Sequence, residues 1–223
     1  MNLLAIETST AFLSLAFGTE ASVRAFHVEA GQRHAELILD SIGELLAQGG
    51  FRLGDIDAIA YGEGPGSFTG LRIGCAVVQG LALARSLRVC GVGTLLALAE
   101  SSREQRVIAC IDARIGEVYH AAYFREPAGW REVHAPGLYR PNAVPAVAGN
   151  GWVGCGSGFA AHGDALVARF GASLSAVRAD LAPGAEAVMR LARARLERGE
   201  GGDAASAVPV YIRDNVALKT IER

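Results

Sequence analysis

The stretch Tyr61-Gly62-Glu63-Gly64-Pro65-Gly66-Ser67-Phe68-Thr69-Gly70 has the residue types of a turn that could hold an anion. Glycine reaches backbone angles closed to other residues, proline fixes one, and a Ser or Thr hydroxyl accepts the first free N–H groups of a helix. Gly64, Gly66 and Ser67 are therefore the candidate phosphate-binding residues. The pattern is incomplete, because the phosphate loop that ends in Gly-Lys-Ser/Thr needs a lysine that is missing here, and the dinucleotide fingerprint needs glycine where Thr69 stands. Any sharp turn entering a buried helix would use the same residues. Asp112, Arg114 and Glu117 lie close enough in sequence for a polar site at a hairpin end, or for an ion pair that steadies the turn. The five histidines lack His-x-x-x-His spacing, and Cys75, Cys90, Cys110 and Cys155 form no close pair, so they read as small core residues. His34 reads as a solvated or capping group. No catalytic set and no metal site is assigned.

These residues need elements to hold them. Ile56 to Ala60 reads as a strand and Leu71 to Leu87 as a long helix, so the glycine turn lies between strand and helix. Within that helix Gly70, Gly74 and Val78 stand four apart, as do Ala76, Gly80 and Ala84. Two rows of small side chains would let another helix approach closely. Glycine inside a helix costs roughly 1 kcal/mol against alanine, so Gly74 and Gly80 need a compensating contact, internal or external. Arg33 to Gln48 reads as an amphipathic helix with Leu37, Ser41 and Leu45 on its apolar stripe. Together with Gly70, Ile73, Gly74, Val77, Val78 and Leu81, these are the expected partner-interface residues.

Leu3 to Ile6, Ala11 to Phe17 and Val23 to Val28 form a strand and a hairpin, the opening of a ribonuclease H-like sheet. After Arg103-Glu104-Gln105-Arg106 the order begins again, with Val107 to Ile111 and Glu117 to Phe124 joined by Asp112 to Gly116. Fold-level duplication is expected, with halves at 1–102 and 103–223. Pro127 to Pro145 reads as a surface excursion. Gly149-Asn150-Gly151-Trp152-Val153-Gly154 matches the letters of the dinucleotide fingerprint, but Trp152 to Cys155 looks like a strand where a helix should begin. Helices follow at about Phe159 to Phe170 and at Ala185 to Arg198, the latter with Arg190, Arg193, Arg195 and Arg198 on a solvated face. The segment Val208 to Val216 is too apolar to be free and should dock on the body or on a partner.

The totals limit the function classes. At 223 residues and 51% hydrophobic, the chain can bury a sizeable core, and its mean hydropathy of +0.26 leaves room for an apolar face covered by a partner. A net charge of −2 lacks the basic footprint of a protein that grips nucleic acid alone. Neither a membrane span nor a signal peptide is evident, so a cytoplasmic location is expected.

Four blocks, Ala5 to Thr10, Gly64 to Gly74, Ile111 to Tyr119 and Val210 to Arg213, together resemble the TsaB (YeaZ) family. The resemblance implies an α/β actin-like ATPase fold of two ribonuclease H-like halves, mixed sheets flanked by helices, and a role in making threonylcarbamoyladenosine in tRNA. It implies a scaffold that binds the transferase TsaD and the small ATPase TsaE, forms a homodimer in isolation, and meets tRNA only through the complex. In actin-like ATPases the turn after the first strand carries an acid and a glycine for metal and phosphate, and here Glu7 and Ser9 occupy those places. In TsaD two histidines four apart hold a metal just after the strand that follows the long helix, and here Thr94 and Leu98 stand there. No cofactor is implied firmly, and weak ATP or ADP binding stays open. The alternatives are a stand-alone ATP-binding or ATP-hydrolysing enzyme of the same fold and a metal-dependent glycoprotease.

Overall fold

The computed structural model of the chain describes residues 1–213. Its strands form two five-stranded sheets, in the orders β3-β2-β1-β4-β5 and β10-β9-β6-β7-β8. In the first, β1 (Leu3–Glu7), β2 (Phe12–Gly18) and β3 (Val23–Glu29) run as an antiparallel meander, and β4 (Ala58–Gly64) and β5 (Arg88–Gly93) join parallel. The second repeats this with β6 (Arg106–Arg114), β7 (Glu117–Glu126), β8 (Gly129–Tyr139), β9 (Trp152–Cys155) and β10 (Leu174–Arg178). The duplicated ribonuclease H-like order is thus present, and with it the actin-like ATPase architecture.

Helices cover both faces of each sheet. α1 (His34–Ala47) and α2 (Phe68–Arg85) close the outer side of the first sheet through Ile38, Ile42, Leu46 and Val78. α3 (Thr94–Ser102) packs Leu95 and Leu98 on the second sheet, whose far side is closed by α4 (Ser157–Phe170) through Phe159, Leu166 and Phe170. α5 (Ala185–Glu197) lies past residue 103 yet packs Val188, Met189 and Ala192 on the first sheet. A division of the chain at 102/103 therefore separates the sheets but not their helices. Because β1 is covered on both faces, it is uniformly buried and reads as an unbroken apolar run.

Polar contacts tie the halves. The cap residue of α5, Gly184, has no side chain, so Ser14 of β2 and Ser101 of α3 accept from the Ala185 and Gly184 N–H groups instead. Arg190, Arg195 and Arg198 are exposed, as a solvated face requires, and Arg193 is half-buried, yet each also has a polar partner. Arg190 meets Glu100 at 2.7 Å, Arg193 donates to the Met1 and Gly18 carbonyls, Arg195 to the Gly91 carbonyl, and Arg198 to Glu200.

Residues 127–145 also differ from expectation, since 129–139 form the edge strand β8. Its ladder with β7 shifts register between His120/Gly137 and Ala122/His134, so Pro136 falls in a bulge, where a missing N–H breaks no ladder bond. Among the described residues, no helix is long and apolar enough to cross a membrane.

Glu100, its side chain 9% exposed, accepts from Arg125, Trp130 and Arg190, joining α3 to β7, β8 and α5. Burial pushes its carboxyl up, but hydrogen bonds from Arg190 and Trp130 and the charge of Arg125 outweigh it, and the net shift is downward. A carboxylate lowered in the folded state stabilises above the ordinary carboxylate range and loses that contribution as pH falls. Glu100→Gln should cost about 1–3 kcal/mol in urea unfolding at pH 7, the arginines being partly solvated. That cost should shrink as the pH is lowered from 6 to 4.

Candidate functional site and partner face

The β1–β2 turn and the start of α2 meet along a seam of glycines. Ser67 caps α2 by accepting from the Gly70 N–H, and its own N–H donates to the Ser9 carbonyl at 2.7 Å. The Thr8 hydroxyl donates to the Gly70 carbonyl at 2.9 Å. Backbone lies so close that a Cβ on Gly70 would sit 2.1 Å from the Thr8 carbonyl oxygen, one on Gly74 2.3 Å from Thr8 Oγ1, and one on Gly66 2.4 Å from the Ser9 carbonyl oxygen. Only glycine fits at these three positions.

This placement corrects the expected interface. Gly70, Gly74 and Val78 face the chain's own interior, and Ser41 and Leu45 are buried as well. Leu37, Ile73, Val77 and Leu81 are half-buried against the same core. The row 70/74/78 is therefore filled from inside, and Gly74's helical cost is offset by the contact with Thr8. The second row, Ala76, Gly80 and Ala84, is exposed, and a Cβ on Gly80 would meet nothing within 4 Å. On α1, Gly43 is likewise open, next to Leu39, 58% exposed, while Leu83 of α2 is 77% exposed. Leu39, Gly43 and Leu83 escaped the sequence reading because a stripe of apolar residues does not tell which of its members face inward. Two helix glycines without an internal contact and two bare leucines make this the open face of the helix pair.

The candidate phosphate turn is spent on internal contacts. Ser67's amide and hydroxyl are both engaged within the seam, and Gly64 lies under the C-terminal segment, where its Cβ would come within 2.5 Å of the Val210 carbonyl oxygen. Gly66 and Ser67 still border a cleft of about 1110 Å³ between the halves, together with Ser9, Asp112, Ser157 and Asp180. Glu7 does not reach it. The carboxyl is 1% exposed, accepts from the Ser9 N–H at 2.6 Å, leaves Oε2 without a partner, and is pushed up to about 7 by burial against the hydrogen bonds from Ser9. Glu7 therefore offers no carboxylate to the cleft, whose acids among the described residues are Asp112 and Asp180.

Other candidates resolve simply. His34 is neither solvated nor a cap: it is 3% exposed, its Nε2 lying 3.2 Å from the Phe12 carbonyl. Asp112 and Arg114 pair at 3.4 Å, whereas Glu117 turns to Arg213 at 2.7 Å. All four cysteines are buried and free. The segment 208–213 docks on the body, and 214–216 lie outside the described residues. Among the described residues, no three His, Cys, Asp or Glu side chains gather as a metal site.

A family model described as TsaD, tRNA N6-adenosine threonylcarbamoyltransferase, matches residues 27–220. The tRNA threonylcarbamoyladenosine biosynthesis protein TsaB of Escherichia coli is 37% identical, the alignment covering 99% of this chain and 98% of that one. The chain belongs to the TsaB (YeaZ) family. TsaB of Haemophilus influenzae is 31% identical, over 99% of this chain and 97% of its own. Among solved structures, YeaZ from Pseudomonas aeruginosa superposes with a TM-score of 0.85 at 38% identity, covering 94% of this chain and 99% of that one. Another from the same organism, described as having similarity to peptidase YEAZ, gives 0.87 at 37% identity, covering 95% and 99%. Within this TsaB-family fold, Thr94 and Leu98 begin α3 one turn apart and are both fully buried.

Two measurements check the seam. Gly74→Ala should lower stability by about 1–3 kcal/mol, the overpacking range, and a variant as stable as the wild type would contradict the close approach. Glu7 binds its proton more tightly folded than unfolded, so wild-type stability should fall as pH rises from 4.5 to about 7. Glu7→Gln should lack this loss and be the more stable protein at pH 8, by up to roughly 3 kcal/mol at about 1.4 kcal/mol per pKa unit.

Proposed function

We propose that this TsaB-family chain is the scaffold member of the assembly that makes tRNA threonylcarbamoyladenosine, without chemistry of its own. The reading is carried by α3: where TsaD would need imidazoles, Thr94 and Leu98 stand, a poor ligand and an impossible one, both sealed from solvent. The matching TsaD family model supports a shared architecture. Paralogues of one fold pair through equivalent surfaces, so the open face of α1 and α2 is the proposed seat for TsaD, and for a second copy when TsaD is absent. TsaE joining this pair, tRNA reached only through the complex, and a cytoplasmic location complete the proposal.

The competing reading, a stand-alone ATP-hydrolysing enzyme working through Glu7, has its acid buried beneath the seam. Any adenine nucleotide in the assembly is then proposed to be held mainly by the partners.

Reconstitution tests this. Leaving the chain out of a mixture of TsaD, TsaE and TsaC should abolish tRNA modification, and undiminished product would remove the scaffold role. Leu83→Asp places a charge on the open face and should weaken co-elution with TsaD at least tenfold, with unfolding unchanged because Leu83 is 77% exposed.

A further inference from the structure

The stretch Gly149-Asn150-Gly151-Trp152 enters the strand β9 and not a helix, so its likeness to the dinucleotide fingerprint has no structural counterpart. Asn150 alone among the chain's asparagines precedes a glycine: Asn2 is followed by Leu3, Asn142 by Ala143 and Asn215 by Val216. Residues 148–151 are exposed. Among the described residues, neither the Asn150 side-chain amide nor the Gly151 N–H has a hydrogen-bond partner, while the Asn150 carbonyl accepts from Arg106 Nη1 at 2.8 Å. Gly149 and Gly151 hold φ of 74° and 81°, so the bend itself demands glycine after Asn150.

The other described asparagines are held. Asn2 donates its side-chain amide to the Asp55 carbonyl at 3.0 Å. After Asn142, the Ala143 N–H donates to the Arg140 carbonyl at 2.9 Å within the single helical turn Pro141–Ala143. A main-chain nitrogen attacks the preceding side-chain amide only where both groups are free and no side chain crowds the approach, and a residue without a Cβ crowds it least. Asn150 and Gly151 meet these conditions.

We propose that Asn150 is a site of spontaneous covalent modification and that Arg106 directs the product to isoaspartate. The Gly151 nitrogen bonds to Asn150 Cγ, the bond from Cγ to the amide nitrogen breaks, and that nitrogen leaves as ammonia with the proton Gly151 gives up. A succinimide ring remains. Water then adds to one ring carbonyl and breaks its bond to the Gly151 nitrogen, which takes a proton from the water; nothing is oxidised or reduced. Attack at the former Asn150 main-chain carbonyl yields isoaspartate, and this is the carbonyl that Arg106 holds and polarises. The free carboxylate so formed stays beside the guanidinium, a charge-assisted contact. The main chain now runs through the old side chain, which lengthens the entry to β9.

The test keeps the full chain in warm, mildly alkaline buffer and follows its tryptic peptide 132–169, which carries both Asn142 and Asn150, by fragmentation mass spectrometry. A methyltransferase specific for isoaspartyl carboxylates reports the isomer. Acid should accumulate at Asn150 at least about tenfold faster than at Asn142. Its rate should lie within about threefold of that in the urea-unfolded chain, because an open bend needs no unfolding to react. A folded rate more than about tenfold below the unfolded one overturns the site. Methyl acceptance persisting in Asn150→Ser overturns its assignment, and aspartate as the sole product overturns the ring step. In Arg106→Gln the ratio of isoaspartate to aspartate should fall at least about threefold. The same ratio should be higher in the folded wild type than in the unfolded chain, a comparison that needs no variant to fold. Ratios that do not differ overturn the role of Arg106.

Discussion

The contact between the Thr8–Ser9 backbone and the first two turns of α2 constrains the rest of the molecule. Three glycines let a helix lie against a turn with no side chain between them, and a hydroxyl and an amide bond across the gap. Such an approach leaves no room for a side chain between the turn and the helix. It also fixes where α2 leaves the sheet, and hence which row of α2 faces solvent. Beneath it Glu7 is shut away from water, and burial pushes its carboxyl pKa up to about 7.

The glycine turn and the β1–β2 turn are thus packed directly against each other. In the turn, the Ser67 N–H is given to the Ser9 carbonyl and the Ser67 hydroxyl accepts from Gly70. At the start of α3 Thr94 and Leu98 are both fully buried. On the outside lies a helix pair whose outward glycines, Gly43 and Gly80, and leucines, Leu39 and Leu83, are exposed among the described residues.

The two sheets are held by few polar contacts, each of high consequence. Glu100 collects three donors from three elements, Ser14 and Ser101 finish the first turn of α5, and Arg213 reaches the hairpin of the second half. Because these groups are largely withdrawn from water, losing any partner leaves a buried group unsatisfied, which costs more than the contact contributes.

The sequence by itself determined the order of elements and the duplication, since strands covered on both faces must be apolar throughout and helices must carry a stripe. It determined the family too, through four ordered blocks, and it located the segment 208–213 as docked. Glycines at 70, 74 and 80 were visible as demanding close contact, but whether that contact was internal depended on which neighbour lay opposite each face. A spacing of four residues defines a row on a helix and says nothing of its azimuth toward the sheet. The contacts of Arg190, Arg193 and Arg195, the buried His34 and the edge strand with Pro136 in its bulge share that cause: each is settled by a partner on another element. Only the tertiary structure brought Thr8 against Gly74 and left Gly80 bare, because burial is a property of pairs of surfaces and no single segment carries it.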